Sequence, residues 1–177
     1  MANRSAHSDT GQVSADGLRL AGVTFAHAGL LARLHGLCFE EVWNSATVAQ
    51  VLRLAGAFGL LATLPERGVG FVPAPSDAQT PVGFALVAGV LDERELLSLG
   101  VVPAYRRRGV GGALIEAVFE RVRAEGVSRL YLEVAEDNDE ARRLYTALGF
   151  APIGRRPAYY SRREGPAVAA ITLARAL

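Results

Sequence analysis

The spacing of apolar residues changes period twice between Leu96 and Val134, and that double change restricts the fold more than any other feature of the chain. Glu95 to Val102 is a β-leaning run closed by Pro103. From Gly109 onward Val110, Leu114, Ala117, Val118 and Val122 recur at helical spacing, and Gly126 stands where a left-handed cap ends a helix. Arg129 to Ala135 then alternates, with Leu130, Leu132 and Val134 on one face and Tyr131, Glu133 and Ala135 on the other. A strand–helix–strand run of this kind crosses over right-handed and makes its two strands parallel neighbours.

The remaining elements read as hairpins and covering helices. Leu18 to Thr24 is a first strand, and Ala26 to Phe39 is a helix with Leu30, Leu31, Leu34 and Leu37 on one stripe. A short helix over Ala46 to Leu54 follows, then strands at Phe58 to Leu64 and Val82 to Val90. Pro65 to Pro81, rich in glycine and proline, is a long connection between them. The charged turn Asp92, Glu93, Arg94 makes the strands on either side of it an antiparallel pair. Asn138 or Asp139 can cap a helix carrying Ala141, Leu144 and Leu148 and closed by Gly149, before strands at Phe150 to Arg155 and Ala167 to Leu173. The sum is an α/β fold: a mixed, mostly antiparallel central sheet with helices on both faces and one parallel β-α-β unit. Residues 1–17 are small and polar and read as a mobile leader; residues 18–177 supply enough apolar material for one domain.

Composition removes several functions. All 19 basic residues are arginine, so a phosphate loop that ends in lysine, a pyridoxal enzyme and a Schiff-base aldolase are all excluded. A net charge of +1 gives no whole-chain reason to expect nucleic acid or membrane as a partner. Cys38 is the single cysteine, no apolar leader segment is present, and no run is long enough to span a bilayer, so a cytoplasmic location is expected. His35 and Cys38 fall three apart on a helix without a second ligand pair, so no metal site is expected, and the cysteine reads as core. Arg155, Arg156, Arg162 and Arg163 read as a solvated basic edge.

Between the strand ending at Val102 and the helix opening at Gly109 lies Arg106-Arg107-Arg108-Gly109-Val110-Gly111-Gly112. Glycines at a helix entry let successive backbone N–H groups aim at one anion, and the helix dipole adds about half a positive charge there. Such a cradle suits a pyrophosphate, with the arginines free to pair with a further phosphate. A dinucleotide fingerprint fails, because the third glycine it needs would be Leu114. Taken alone, the segment is equally a basic turn whose glycines permit tight packing.

Arg106-x-x-Gly109-x-Gly111 after a strand and opening a helix resembles the coenzyme A-binding motif of GNAT acetyltransferases. The likeness extends through Leu97 to Val102, Leu132-Glu133-Val134, Asn138, Ala141, Leu144-Tyr145, Leu148-Gly149-Phe150, Arg155-Arg156 and Tyr159-Tyr160. These segments are similar to the RimI-type branch, which acetylates the N-terminal alanine of a small-subunit ribosomal protein. Upstream, Cys38-Phe39 and Trp43 echo that branch's front segment. The resemblance implies acetyl-CoA as cosubstrate and a protein N-terminus, such as that of a ribosomal protein, as partner. It implies that Leu99, Gly100 and Val101 bind the pantetheine arm, and that Arg106, Arg107, Arg108, Gly109, Val110, Gly111 and Gly112 hold the pyrophosphate. Asn138 would touch the cofactor, Glu133 would be the base and Tyr145 the acid. Three features depart from the branch: Trp43 follows Val42 rather than proline, no acidic residue lies in Ala167 to Ala170, and Pro65 to Pro81 looks inserted. An acetyltransferase for a small amine, polyamine or aminoglycoside therefore stays open, as does a non-catalytic coenzyme A-binding module.

Elementary chemistry agrees with those roles without proving them. Acyl transfer from a thioester to an amine needs a neutral nucleophile, a proton donor for the thiolate and donors for the carbonyl oxygen. Deprotonating an α-amino group at pH 7 costs roughly 1.4 kcal/mol against about 4.6 kcal/mol for a lysine, which favours an N-terminal acceptor. By position alone, Glu133 is also a solvent-facing carboxylate and Tyr145 a packing tyrosine.

Overall fold

A computed structural model describes residues 12–13, 17–65, 78–162 and 165–177, and these build one mixed sheet. Its strands are β1 (Gln12–Val13), β2 (Arg19–Gly22), β3 (Phe58–Pro65), β4 (Gln79–Ala88), β5 (Glu93–Val101), β6 (Arg129–Ala135), β7 (Ala151–Tyr160) and β8 (Val168–Ala176). They lie in the order β1-β2-β3-β4-β5-β6-β8-β7, antiparallel throughout except for β5 beside β6. The helices are α1 (Ala28–Cys38), α2 (Ser45–Val51), α3 (Val110–Ala124) and α4 (Asp139–Ala147). The crossover read from the apolar spacing is β5, α3, β6.

Each face of the sheet is covered by the elements whose apolar stripes match it. On one side Val110, Leu114, Val118 and Val122 of α3, with Leu144 and Tyr145 of α4, pack on Leu96, Leu130, Leu132 and Val134. On the other, Leu31 and Leu34 of α1 and Val48 of α2 pack on Leu61, Phe84 and Leu86. Residues 82–88 of β4 are buried continuously, since this central strand has a layer on both faces. Full burial of each such Leu, Val or Phe is worth about 1.5–3 kcal/mol.

The β5–β6 pair is short. Its parallel register runs only from Glu93 opposite Arg129 to Leu96 opposite Leu132. Beyond that point β5 continues to Val101 against β4 alone, while β6 continues to Ala135 against β8 alone. Leu86 faces Ser98 but Val87 faces Leu96, so Leu97 is an extra residue on β5. A bulge of this kind bends the strand that carries it. Past Leu96 and Leu132 the two strands diverge, and a wedge opens between them.

Several expectations need correction. Leu37 is 59 % exposed, whereas His35 is buried: the stripe of α1 is Ala28, Leu31, Leu34 and His35, the set that 100° per residue brings to one side. β7 runs to Tyr160, five residues past Arg155, because β8 continues to pair with it across bulges near Pro152 and Pro157. Pro65 pairs with Gln79, so the β3–β4 connection is shorter than Pro65 to Pro81; residues 66–77 lie outside the described set. Gln12 and Val13 pair with Leu20 and Arg19, a strand inside the stretch read as a leader, whose other residues up to 16 lie outside the described set with His7 and Arg163. The basic edge is not free: Arg155 is paired to Glu136 at 2.6 Å, Arg156 to Glu133 at 3.0 Å and Arg162 to Asp137 at 2.7 Å. No helix among the described residues is long and apolar enough to cross a membrane.

One glycine holds α3 down on the sheet. A methyl group on Gly83 of β4 would stand 2.9 Å from the Gly100 carbonyl oxygen, 3.2 Å from Val110 Cγ1 and 3.3 Å from Leu114 Cδ1. Gly83→Ala should therefore cost about 1–3 kcal/mol, the range for overpacking a filled core, read as a lowered urea midpoint with an unchanged slope.

Candidate active site

The wedge and the start of α3 form one continuous cleft of about 660 Å³. Its walls are Leu99, Gly100 and Val101 of β5, the Tyr105–Arg107 turn, Gly109 to Gly112, and Asn138, Glu140, Ala141, Arg143, Leu144 and Tyr145 along α4; Cys38 and Phe39 close one end. The Val102 N–H donates to the Val82 carbonyl at 2.9 Å, so Val102 turns its backbone groups toward β4. Strand alternation then turns those of Val101 and Leu99 toward the wedge, where β6 has already left. The Val101 carbonyl accepts from Arg106 Nε at 3.1 Å, which ties the arginine turn to the end of β5.

The opposite end of the cleft opens on the first turn of α3. Gly109 is the N-cap of α3 with φ 79°, a conformation natural to glycine, and it precedes the unpaired N–H groups of the first helical turn. A Cβ added at Gly109 or Gly112 would meet nothing within 4 Å, so the helix entrance is open. At Gly111 a methyl would stand 3.3 Å from Leu144 Cδ2, so this glycine serves the packing of α3 on α4. Arg107 and Glu140 face each other at 4.0 Å across the mouth, and Arg143 lines the α4 side. Arg108 turns away and stacks on the Tyr105 ring, 5.3 Å from its centroid.

Tyr145 links this cleft to the core. It is 7 % exposed and meets Phe150 edge-on at 5.7 Å. Burial, and then the neighbouring Tyr160, push its phenol well above the ordinary tyrosine range, so its proton stays on throughout the physiological range. Asn138 fixes the helix below it by accepting the Ala141 N–H at 3.1 Å.

Glu133 lies outside the walls of the cleft, one residue past the last β5–β6 pair and on the sheet face opposite α3. Its carboxylate accepts from Arg156 Nη1 at 3.0 and 3.3 Å and from Thr172 Oγ1 at 3.5 Å. Around it stand Glu95, Tyr159 and Tyr160: Arg156 lies 4.0 Å over the Tyr159 ring, and the charges of Glu95 and Glu133 both act on Tyr160. Burial first, then Glu133, push the Tyr160 phenol up to about 12.

The residues expected to hold a cofactor thus converge, with Leu99, Gly100, Val101, Arg106, Arg107, Gly109, Val110, Gly111, Gly112, Asn138 and Tyr145 all lining one space. Arg108 and Glu133 do not line it. Sequence reasoning missed half-buried Tyr105 and exposed Glu140 and Arg143, which lie in no motif, and took Cys38 for core although it is half-buried at the cleft's end. Among the described residues no three His, Cys, Asp or Glu side chains gather as a metal site.

Comparison with known proteins agrees with this geometry. Residues 30–150 match the family described as Acetyltransferase (GNAT) family. The chain is 36% identical over 93 residues to the [ribosomal protein bS18]-alanine N-acetyltransferase of Haemophilus ducreyi, covering 52% of this chain and 64% of that protein. It is 40% identical over 82 residues to the protein of the same name from Escherichia coli K12, covering 46% and 55%. The sequence match therefore spans somewhat over half the length of these relatives. The crystal structure of the Escherichia coli ribosomal-protein-S18-alanine N-acetyltransferase superposes with a TM-score of 0.74 at 26% identity, over 90% of this chain and 93% of that one. Arabidopsis thaliana NAA60, solved with a bisubstrate analogue, shares the fold at a TM-score of 0.75 and 22% identity, over 90% and 97% of the two chains. With the anion cradle, the wedge and the family match falling on the same residues, the chain belongs to the GNAT acetyltransferase family.

Proposed function

We propose that this chain transfers an acetyl group from acetyl-CoA to a primary amine, and that the amine is the N-terminal α-amino group of a protein, as in the bS18-alanine N-acetyltransferases it resembles. The observation that carries the reading is the continuity of the cleft: open helix amides at one end, unpaired β5 backbone groups along its length, and a buried phenol beside them. These features fit acetyl-CoA part by part. The amides of Gly109 to Gly112, with Arg106 and Arg107, meet the pyrophosphate, and Asn138 borders the arm leading inward. Leu99 and Val101 pair with the amides of the pantetheine arm as a further strand would, and Gly100 between them lines the same space. Acetyl-CoA, when bound, supplies the activated acetyl group. The reading places the work in the cytoplasm, where new protein N-termini are made.

Glu133 takes the amine proton, directly or through water, from the sheet face away from α3. Tyr145 gives its proton to the departing sulfur, and its raised pKa suits a group that must be protonated before it donates. The Val101 N–H, directed into the wedge, is placed to meet the carbonyl oxygen as charge develops on it. Glu133→Gln and Tyr145→Phe should each lower kcat by about 10²–10⁴-fold while changing the dissociation constant for coenzyme A by much less. Unchanged turnover in both variants would remove these assignments.

The cradle can be tested apart from the chemistry. A Cβ added at Gly112 meets nothing within 4 Å, so Gly112→Val should leave the melting temperature within a few degrees and weaken coenzyme A binding by about tenfold or more in calorimetry, as expected for a blocked anion site. The acceptor is tested by thiol release with an alanine-starting peptide, a lysine-containing peptide with a blocked N-terminus, and polyamines. Turnover is expected with the first. Turnover of polyamines alone would replace the acceptor, and coenzyme A binding without turnover on any amine would make the chain a binding module.

A further inference from the structure

The face of the sheet that carries Glu133 holds a second carboxylate that the chemistry above does not use, one of the acidic residues (Glu40, Glu41, Asp92, Glu93 and Glu95) that by sequence could meet a cationic peptide or simply be solvated turns. Glu95 sits on β5 one residue before Leu96, the last residue paired with β6, and its own register partner is Tyr131. Leu96 and Leu132 are both buried against α3, so strand alternation turns Glu95 to the opposite face, the one that bears Glu133. Glu95 and Glu133 therefore flank the apex of the wedge, one on each strand, where the bulge at Leu97 begins to part them. The polar groups beside Glu95 are engaged with other partners. Tyr131 donates to Glu93 at 2.7 Å and accepts from Arg129 at 3.1 Å, while Arg156 binds Glu133. Among the described residues the Glu95 side chain has neither a hydrogen bond nor an ion pair; the residue is exposed, although its neighbours partly cover the carboxyl group.

The geometry points to Glu95 as the anchor for the acceptor's positively charged amine, a specificity-determining residue that meets a primary ammonium at the apex before Glu133 takes its proton. This inference rests on the acetyltransferase reading. An unpaired carboxylate beside a second one is short of a cation, and Arg156 supplies only one, directed to Glu133. Burial of the carboxyl group, followed by the charge of Glu133, raises the Glu95 pKa, with Arg156 opposing; an incoming ammonium would relieve the second of these. The amine arrives charged, since an α-amino group is largely protonated at neutral pH. On that face it can reach the apex of the wedge without crossing the cleft that holds the cofactor.

The test compares an alanine-starting peptide with its Nα-acetylated form, each titrated into coenzyme A-saturated protein by calorimetry. Glu95→Gln should weaken the free-amine peptide by about tenfold, the size of one lost charge-assisted contact, and leave the acetylated peptide within twofold. In steady-state assays the same variant should raise KM for the peptide with kcat little changed, and Glu95→Asp should restore most of the affinity. Equal loss of both peptides would mean a structural role, and undiminished binding of the free amine would mean no role; either overturns the inference while acetylation by the wild type still stands. A wild type that binds coenzyme A yet neither binds nor acetylates a free-amine peptide would sink the acceptor reading itself, and this inference with it.

Discussion

The separation of β5 from β6 beyond Leu96 and Leu132 is the constraint on which the rest of the molecule depends. A parallel pair normally satisfies the facing backbone groups of both strands along its length, and leaving such groups unpaired in a buried place costs about 1–3 kcal/mol each. Here the partner is withdrawn after four residue pairs, and the exposed edge of β5 must be met by solvent, by Arg106, or by a ligand that imitates a strand. The bulge at Leu97 makes the divergence local and abrupt, and the close seat of α3 on Gly83 keeps the helix entrance facing the same opening. Backbone geometry, more than any side chain, creates the cleft.

The two ends of the site are held by different physics. At the cofactor end, positions are set by packing: Gly111 against Leu144, Tyr145 against Phe150, Val110 and Leu114 in the core. At the carboxylate end they are set by exposed ion pairs such as Arg155–Glu136 and Arg162–Asp137, with Arg156 over the Tyr159 ring. Pairs of that kind are each worth about 0–1 kcal/mol, so they orient β7 and its tyrosines without adding much to stability. A surface ordered this weakly readjusts more easily than the packed walls of the cleft.

What could be read beforehand divides along the same line. Period-two and helical spacing located β6 to the residue and α3 to within one, because both elements bury one clean face. The Asn138 cap and the terminal glycines were legible because their chemistry is local. Residues of the cradle were legible for the same reason: a turn and a helix entrance lie within seven consecutive positions. Glu140 and Arg143 were not, because their importance comes from what another element sets opposite them. Leu37 misled since leucine marks a stripe only when its angle agrees, and His35, stacked at 4.8 Å on Trp43 and donated to by the Trp43 N–H, filled that place with a polar ring. The length of β7 was hidden by two prolines that would ordinarily end a strand and here sit beside bulges on an edge.

A sheet that opens between two strands is accessible from both of its sides. The cradle at Gly109 belongs to the side covered by α3 and α4, and the carboxylates of Glu95 and Glu133 to the other. On the proposed acetyl-transfer reading this means separate doors: a thioester carrier and an acceptor chain can be resident together, and either can depart without waiting for the other to clear a shared passage. Such an arrangement favours direct transfer within a ternary complex over a relay in which the protein itself is modified and the first product leaves before the second substrate arrives.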